Sequence, residues 1–264
     1  MKGPIGLILL GAMIAVALVA SLWTPQSVQA IDVAARFQPS SWAHPLGTDQ
    51  LGRDLLSMLA AGAGPSLGVA ALAAVIGIVF GVPLGLTAVA CPGWVDEAIA
   101  RAADILFAFP ALVLAILIVA ILGPGAVNAG LAIGLFNIPV FVRVTRAAAR
   151  GVWARDFILA ARVTGAGRVR ISVDHILPNI AAVLIVQAAV QMSLGLIAEA
   201  GLSFLGLGAQ PPQPSWGRMM ADAQTLIATA PRLVLLPGLA MAGTVLAINR
   251  AGEELRARWV KGAA

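Results

Sequence analysis

Six apolar runs dominate this chain, and each is near the length that a helix needs to cross a bilayer. A helix rises about 1.5 Å per residue, so about 20 residues span the ~30 Å hydrocarbon core. Only 11% of the residues are charged, whereas soluble proteins carry about 25%. The pattern predicts an all-α polytopic membrane protein with six transmembrane helices, at Ile5–Leu22, Leu67–Ala90, Ile105–Leu122, Ala126–Val142, Ile180–Ala200 and Leu233–Ile248.

The first run has an alternative reading as a secretory signal. Lys2 precedes it, and the small-residue ending Val28–Ala30 resembles a cleavage site. The apolar core of a signal has about 7–15 residues, whereas this run has 18. We therefore expect residues 1–30 to be retained and the run to form the first transmembrane helix. Cleavage would leave the topology of the rest unchanged.

Lysines and arginines are unequally divided between the two sides of the predicted bundle. With the N-terminus inside the cell, 13 of the 17 fall on the inner side, seven of them between Arg143 and Arg170. Basic residues concentrate in cytoplasmic loops, so both termini are predicted to be cytoplasmic. The chain then divides into a first transmembrane helix with an outer loop (1–66), a core of five transmembrane helices with a cytoplasmic loop at 143–178 (67–250), and a cytoplasmic tail (251–264).

The net charge of +5 and the pI near 10.9 do not indicate a nucleic-acid partner. The charge lies in loops between the apolar runs, and no soluble segment is long enough for a domain. The single Cys91 excludes an internal disulfide. The chain has no phosphate-binding loop of the Walker type and no triad of catalytic side chains, so we expect it to be non-catalytic.

The basic loop contains a short helix with one face of small residues. Its residues at positions i, i+3, i+4 and i+7 are Phe157, Ala160, Ala161 and Thr164. Asp156 stands at its start, and the glycines of residues 165–167 would end it. Arg155 and Arg162 lie on the exposed face. A helix this short is marginal alone in water, so we expect it to bind a protein surface through Phe157. Alternatively it lies on lipid headgroups, although interfacial helices carry bulkier apolar residues.

Three motifs carry a resemblance to a known family. The segment DFILAARVTG at residues 156–165 resembles the EAA loop of permease subunits of bacterial ABC importers. The segments His44–Asp54 and Leu202–Gly217 are similar to motifs of the branch that imports dipeptides, oligopeptides and nickel. The resemblance extends from about His44 to the sixth run. One departure is Leu159, which stands where the family has Glu before Ala-Ala and removes a charged contact at the coupling interface.

The resemblance implies a type I ABC importer permease fold in the bacterial inner membrane. The chain would form half of a pathway for short peptides, with nickel chelates, glutathione-like peptides or haem as alternative cargo. Its partners would be a second permease in a heterodimer, two ABC ATPases that bind ATP and Mg, and an extracytoplasmic solute-binding protein. This chain would bind no cofactor. The loop helix would be the coupling helix, with contacts at Arg155, Asp156, Phe157, Ala160, Ala161, Arg162 and Gly165.

Polar residues inside apolar runs indicate a translocation path. The candidates are Asn137, Gln187, Gln191 and Glu199. Hydrogen bonding between helices is the alternative role of each. A stand-alone ion-coupled carrier is the competing class of function. Such carriers show internal repeats and central charges, and this sequence shows neither.

The outer loops supply candidates for docking of the solute-binding protein: Asp49, Arg53, Asp54, Phe204 and Trp216. We expect Thr48 or Asp49 to cap a helix that begins near Gln50, and an ion pair within residues 49–54. The spacing of His44 from the two aspartates matches no zinc pattern, so no metal site is predicted. Phe204 and Trp216 are expected to act as aromatic anchors at the membrane interface.

Overall fold

A computed structural model describes residues 4–262 of the chain, and Lys2, counted above among the inner basic residues, lies outside them. Within those residues the elements are almost all helical. The helices are α1 (Ile5–Leu22), α2 (Leu55–Ile76), α3 (Val82–Ala90), α4 (Trp94–Phe107), α5 (Ala111–Leu122), α6 (Ala126–Trp153), α7 (Asp156–Val163), α8 (Arg168–Arg170), α9 (Leu177–Phe204), α10 (Trp216–Asp222) and α11 (Arg232–Gly262).

Two π-helical turns join neighbouring helices into longer rods. Gly77–Gly81 connects α2 to α3, and Ile171–Ile176 connects α8 to α9. The described residues then hold five helical rods that are long and apolar enough to cross a membrane, and a sixth crossing if α4 and α5 count as one bent span. The prediction of an all-helical membrane protein is confirmed.

The crossings alternate in direction, so both described chain ends lie at the same end of the bundle. We call this the basic end, because α7 and its flanking arginines lie there; the opposite end carries residues 23–54 and 205–231. At the basic end, the Glu254 carboxylate of α11 accepts hydrogen bonds from the backbone amides of Gly6 (2.8 Å) and Leu7 (3.1 Å). Glu254 thereby satisfies amides that the first turn of a helix leaves without partners.

The predicted helix bounds are too short in most cases. The second rod begins at Leu55 and not at residue 67, so the division drawn at residue 66 falls inside α2. Helix α6 continues beyond Val142 to Trp153, and α11 continues through the predicted tail as far as Gly262. The extensions of α6 and α11 carry charged residues, so the apolar pattern did not include them although the helices project past the hydrocarbon core. The extension of α2, residues 55–66, is uncharged.

The third predicted span is wrong as a single straight helix. Helices α4 and α5 meet at 85° around Pro110, whose ring and missing amide prevent a continuous helix. Helix α4 is attached to the last turns of α6 by ion pairs. Asp96 Oδ2 accepts hydrogen bonds from Nη2 of Arg146 (2.8 Å) and Nη2 of Arg150 (2.6 Å). Arg143 forms a second ion pair, with Asp104, at 2.6 Å.

A row of glycines brings α2–α3 against α6. A Cβ atom at Gly77 would lie 2.7 Å from the Phe141 ring, and one at Gly81 would lie 2.6 Å from the Ile138 carbonyl oxygen. At Gly85 the same atom would lie 2.7 Å from the Cβ of Thr145. No side chain fits at these separations. This glycine face therefore packs within the subunit, against α6.

Candidate functional site

Helix α7 has well-defined ends at the basic end of the bundle. Arg155 precedes it in an extended conformation, and no side chain caps its start, so Asp156 lies in the first turn without a cap bond. At its other end Gly165 adopts φ +84°. The Gly165 and Ala166 amides bond the carbonyls of Arg162 (2.9 Å) and Ala161 (3.0 Å), as in a Schellman motif. The prediction that glycine ends this helix is confirmed.

One residue fixes α7 to the bundle, and it was not among the predicted contacts. Ile158 is fully buried, in a cluster that includes Phe141 and Val152 of α6, and Ile171 and Ile176 of the π turn before α9. Ala161, one turn later, is half-buried against the same cluster. Ala161 therefore packs partly against the bundle, and its predicted contact with a partner stays a prediction. Alanine at this position lets α7 approach the bundle closely.

The outward surface of α7 is largely apolar, although α7 lies within the basic loop of residues 143–178. Phe157, Ala160 and Thr164 are exposed, and so are Leu159 (54%) and Val163 (89%). This outward surface comprises residues 157, 159, 160, 163 and 164. Arg162 folds back over the Trp153 ring, with 5.0 Å between its guanidinium carbon and the ring centroid.

Three of the predicted path residues form one chain of amides. The Gln187 amide donates to the Gln191 carbonyl oxygen (3.2 Å), Gln191 donates to Asn137 (2.7 Å), and Asn137 donates to the backbone carbonyl of Ala73 (3.0 Å). Gln191 and Asn137 are buried, whereas Gln187 is partly exposed. The chain of amides thus links α9, α6 and α2 and ends near the surface of α9.

Gln187 lies on a narrow open strip of α9. Between residues 180 and 204, the exposed positions of α9 are Val183, Val190, Leu194, Ile197 and Phe204. Successive positions are seven, four, three and seven residues apart, so they fall along one side of the helix. The rest of α9 is covered by α2, α6, α10 and α11. The strip is apolar except for Gln187.

Glu199 does not lie on this strip. It is fully buried, and its carboxylate accepts a bond from the Ser203 hydroxyl (2.6 Å) and a longer one from Ser66 (3.4 Å). Ser66 also accepts a bond from the Trp216 amide at 3.1 Å. The structure therefore places Glu199 in a closed site that joins α2, α9 and α10, and not along an open path.

The segment of residues 44–54 folds around its carboxylates. Asp49 pairs with Arg53 at 2.7 Å, which confirms the expected ion pair. Asp54, and neither Thr48 nor Asp49, caps the next helix by accepting from the Ser57 amide at 2.8 Å, so the predicted start near residue 50 is wrong. His44 bonds Asp54 at 3.1 Å. Both aspartates are buried, which leaves little of either for contact with a partner.

The two aromatic candidates have different environments. Phe204 is half-exposed, at the end of the strip on α9. Trp216 is buried, and its indole N–H donates to the Leu59 carbonyl (2.8 Å), so its predicted role as an interface anchor is wrong. A different tryptophan is fully exposed: Trp42, in the loop at the opposite end. In the sequence, Trp42 is recognisable as an aromatic residue in a segment rich in serine and proline.

The Trp42 loop is held in a defined shape. The Arg232 guanidinium donates to the carbonyls of Phe37 (3.0 Å) and Gln38 (2.7 Å). The Thr48 side chain accepts from the Gln38 amide at 2.8 Å. These bonds fix both strands of the loop at its base, so Trp42 is displayed from an ordered support.

Comparison with known proteins agrees with this architecture. Residues 73–253 match the family described as the binding-protein-dependent transport system inner membrane component. The dipeptide transport system permease protein DppC of Alkalihalophilus pseudofirmus is 41% identical over 96% of this chain and 83% of its own length. The nickel transport system permease protein NikC of Escherichia coli K12 is 36% identical over 96% and 91%.

Further similarities concern peptide permeases and the fold. The di/tripeptide transport system permease protein DppC of Pseudomonas aeruginosa is 47% identical over 80% of this chain and 70% of its own length. A chain of the MetNI methionine ABC transporter, solved in an inward-facing conformation, superposes with a TM-score of 0.67 at 19% identity, over 76% of this chain and 96% of that one. Together with the family match, these relatives show that the chain belongs to the dipeptide, oligopeptide and nickel branch of ABC importer permeases, multi-pass proteins of the bacterial inner membrane.

Proposed function

We propose that this chain is the permease subunit of an ATP-driven importer of short peptides, with its basic end in the cytoplasm. The orientation is supported by the concentration of arginines around α7. Peptide cargo is supported by the relatives named as dipeptide and di/tripeptide permeases, which are 41% and 47% identical to it. The chain is non-catalytic, and ATP with Mg is bound by two ATPase partners.

Helix α7 couples those ATPases to the membrane helices. The observation that carries this proposal is Ile158, because it connects the exposed α7 to the last turns of α6 and to the start of the α9 rod. A push on the outward surface of α7 is thereby transmitted to two crossing helices. Leu159 lies on that outward surface, so the departure from the family's Glu replaces a charged contact with an apolar one and leaves the attachment of α7 unchanged.

The open strip of α9 lines the translocation path, and a second permease completes the path from the other side. Gln187 offers the path one polar group in an apolar wall, backed by the amides of Gln191 and Asn137. Such a wall gives passage with little affinity, so selection of the peptide falls to the extracytoplasmic binding protein. The displayed Trp42 provides a rigid aromatic contact for that protein at the opposite end.

The proposal is tested by purifying the tagged chain from its native membrane and assaying it in proteoliposomes with the solute-binding protein. We expect two ATPases and a second permease to co-purify, and ATP to drive uptake of labelled dipeptide. Val163→Glu, on the outward surface of α7, should abolish uptake. The control Val33→Glu alters an exposed valine at the opposite end (65% exposed, against 89% for Val163) and should leave ATPase binding intact, whereas Val163→Glu should weaken it. Uptake by the chain alone, driven by an ion gradient, would refute the proposal, and ATP-driven uptake of nickel chelates in place of peptides would refute the cargo.

A further inference from the structure

A groove opens between α9 and α11 at the basic end of the bundle. The two helices are in close contact at Gly252, where a Cβ atom would lie 2.5 Å from that of Ala189. Beyond this contact they diverge, and they are joined again where the Trp259 indole N–H donates to the Pro178 carbonyl at 3.1 Å. The groove between them has a volume of about 650 Å³, within the ~300–1,000 Å³ range of small-molecule sites.

The lining of the groove changes from apolar to charged along the helices. It comprises Pro178, Ile185, Leu255, Arg258, Trp259 and Gly262. Ile185 lies two turns further into α9 than Pro178, about 10 Å closer to the middle of the span. Arg258 lies toward the end of α11. A long apolar slot that runs along two membrane-spanning helices and has an arginine toward its end has the polarity of an amphiphile.

Arg258 has a charge that no carboxylate in the described residues neutralises at ion-pair distance. The ion pairs found in residues 4–262 involve other basic residues. The carboxylate one turn earlier, Glu254, is directed to the amides of Gly6 and Leu7. Arg256 and Lys261 add positive charge to the same turns of α11. The exposed half of Trp259 supplies the aromatic surface that is typical of the headgroup level.

We propose that this groove binds one anionic phospholipid of the surrounding leaflet, with an acyl chain against Ile185 and Leu255 and the phosphate at Arg258. Helix α11 has 31 residues and is about 46 Å long, so its end passes the ~30 Å hydrocarbon core and reaches the headgroups. Basic pockets between transmembrane helices on the cytoplasmic side suit anionic headgroups. The bound lipid fills the gap where α9 and α11 diverge and so holds α11 beside the helix that follows α7.

The test is native mass spectrometry of the protein, with the partners that co-purify, in nanodiscs of equal phosphatidylglycerol and phosphatidylcholine. We expect the wild type to retain one phosphatidylglycerol in preference to phosphatidylcholine. Arg258→Gln should lower that preference about fivefold, which corresponds to the ~1 kcal/mol that one basic residue contributes at an anionic surface. Arg256→Gln is the matched control, because Arg256 does not line the groove, and it should lower the preference clearly less than Arg258→Gln does.

A second variant tests the contact with the acyl chain separately from the contact with the phosphate. Leu255→Trp narrows the groove and should reduce retention of phosphatidylglycerol while every basic residue remains. Equal retention of the two lipids by the wild type, or equal losses in the Arg258 and Arg256 variants, would overturn the proposal. So would cross-linking to a second permease subunit from Leu255→Cys labelled with a photoreactive maleimide, since the groove would then be a protein interface.

Discussion

Replacing Ile158 by alanine should release α7 from the bundle. Ile158 is fully buried, and it is the buried residue of this eight-residue helix. Truncation of isoleucine to alanine in a core costs about 2–5 kcal/mol. A helix of this length has little stability without packing, so the loss falls on the attachment of α7 and not on the transmembrane helices. Taking the lower figure, the population of detached α7 rises about 30-fold.

Hydrogen exchange measures this change directly. The amides that bond within α7 and its glycine cap, residues 158–166, should exchange about 30-fold faster in Ile158→Ala, while the amides of α6 keep their protection. Peptide uptake should fall, and ATP hydrolysis should continue without it, because ATPase closure no longer moves α6 and α9. Leu159→Ala is the matched control for amide exchange alone, since this neighbour is exposed on the outward surface of α7 and surface changes cost under about 0.5 kcal/mol.

Two results would refute this reasoning. If α7 amides exchanged at the wild-type rate in Ile158→Ala, the helix would be attached through contacts other than the buried isoleucine. If exchange accelerated while uptake stayed at the wild-type rate, attachment of α7 would not be the coupling element.

Three further substitutions test other parts of the structure. Gly165→Ala, at φ +84°, should destabilise the end of α7 by about 1 kcal/mol and accelerate amide exchange there, whereas Gly167→Ala, which has open space and ordinary φ, should not. Asp96→Asn should weaken the attachment of α4 to α6 and lower the thermal unfolding temperature in detergent, since charged hydrogen bonds contribute about 1.5–3 kcal/mol each. Gly6→Leu should lower the same temperature, because its Cβ would lie 2.5 Å from the Ala251 amide nitrogen; Gly11→Leu, with nothing nearby, should leave it unchanged.

The apolar pattern of the sequence predicted the five long rods and an apolar run at α5, but not the ends of the helices or the bend between α4 and α5. Hydropathy reports which residues lie in hydrocarbon, so the pattern does not reveal charged helical turns beyond it. The attachment of Asp96 to Arg146 and Arg150 joins segments 50 or more positions apart. The bend before α5 depends on Pro110, which lies inside an otherwise continuous apolar run.

For the candidate site, local chemistry was predictable and packing direction was not. Gly165 was correctly expected to end α7, because a left-handed residue after a helix favours glycine. The sequence did not predict that Ile158 attaches α7 to the bundle, because the small residues of α7 indicated a groove on a partner as its binding surface. Trp216 was misplaced for a similar reason. Its partner, the carbonyl of Leu59, lies far away in the sequence, and no local pattern reports such a contact.

The glycine row between α2–α3 and α6 has a mechanical consequence. At Gly81 and Gly85 the backbone of one rod lies against backbone or Cβ atoms of the other, and at Gly77 it lies against the Phe141 ring. The two rods therefore have little freedom to slide past each other. We expect the two rods to move together as one rigid unit. Any conformational change within this chain would therefore leave the contact between α2–α3 and α6 intact and would occur elsewhere, as at the 85° bend between α4 and α5.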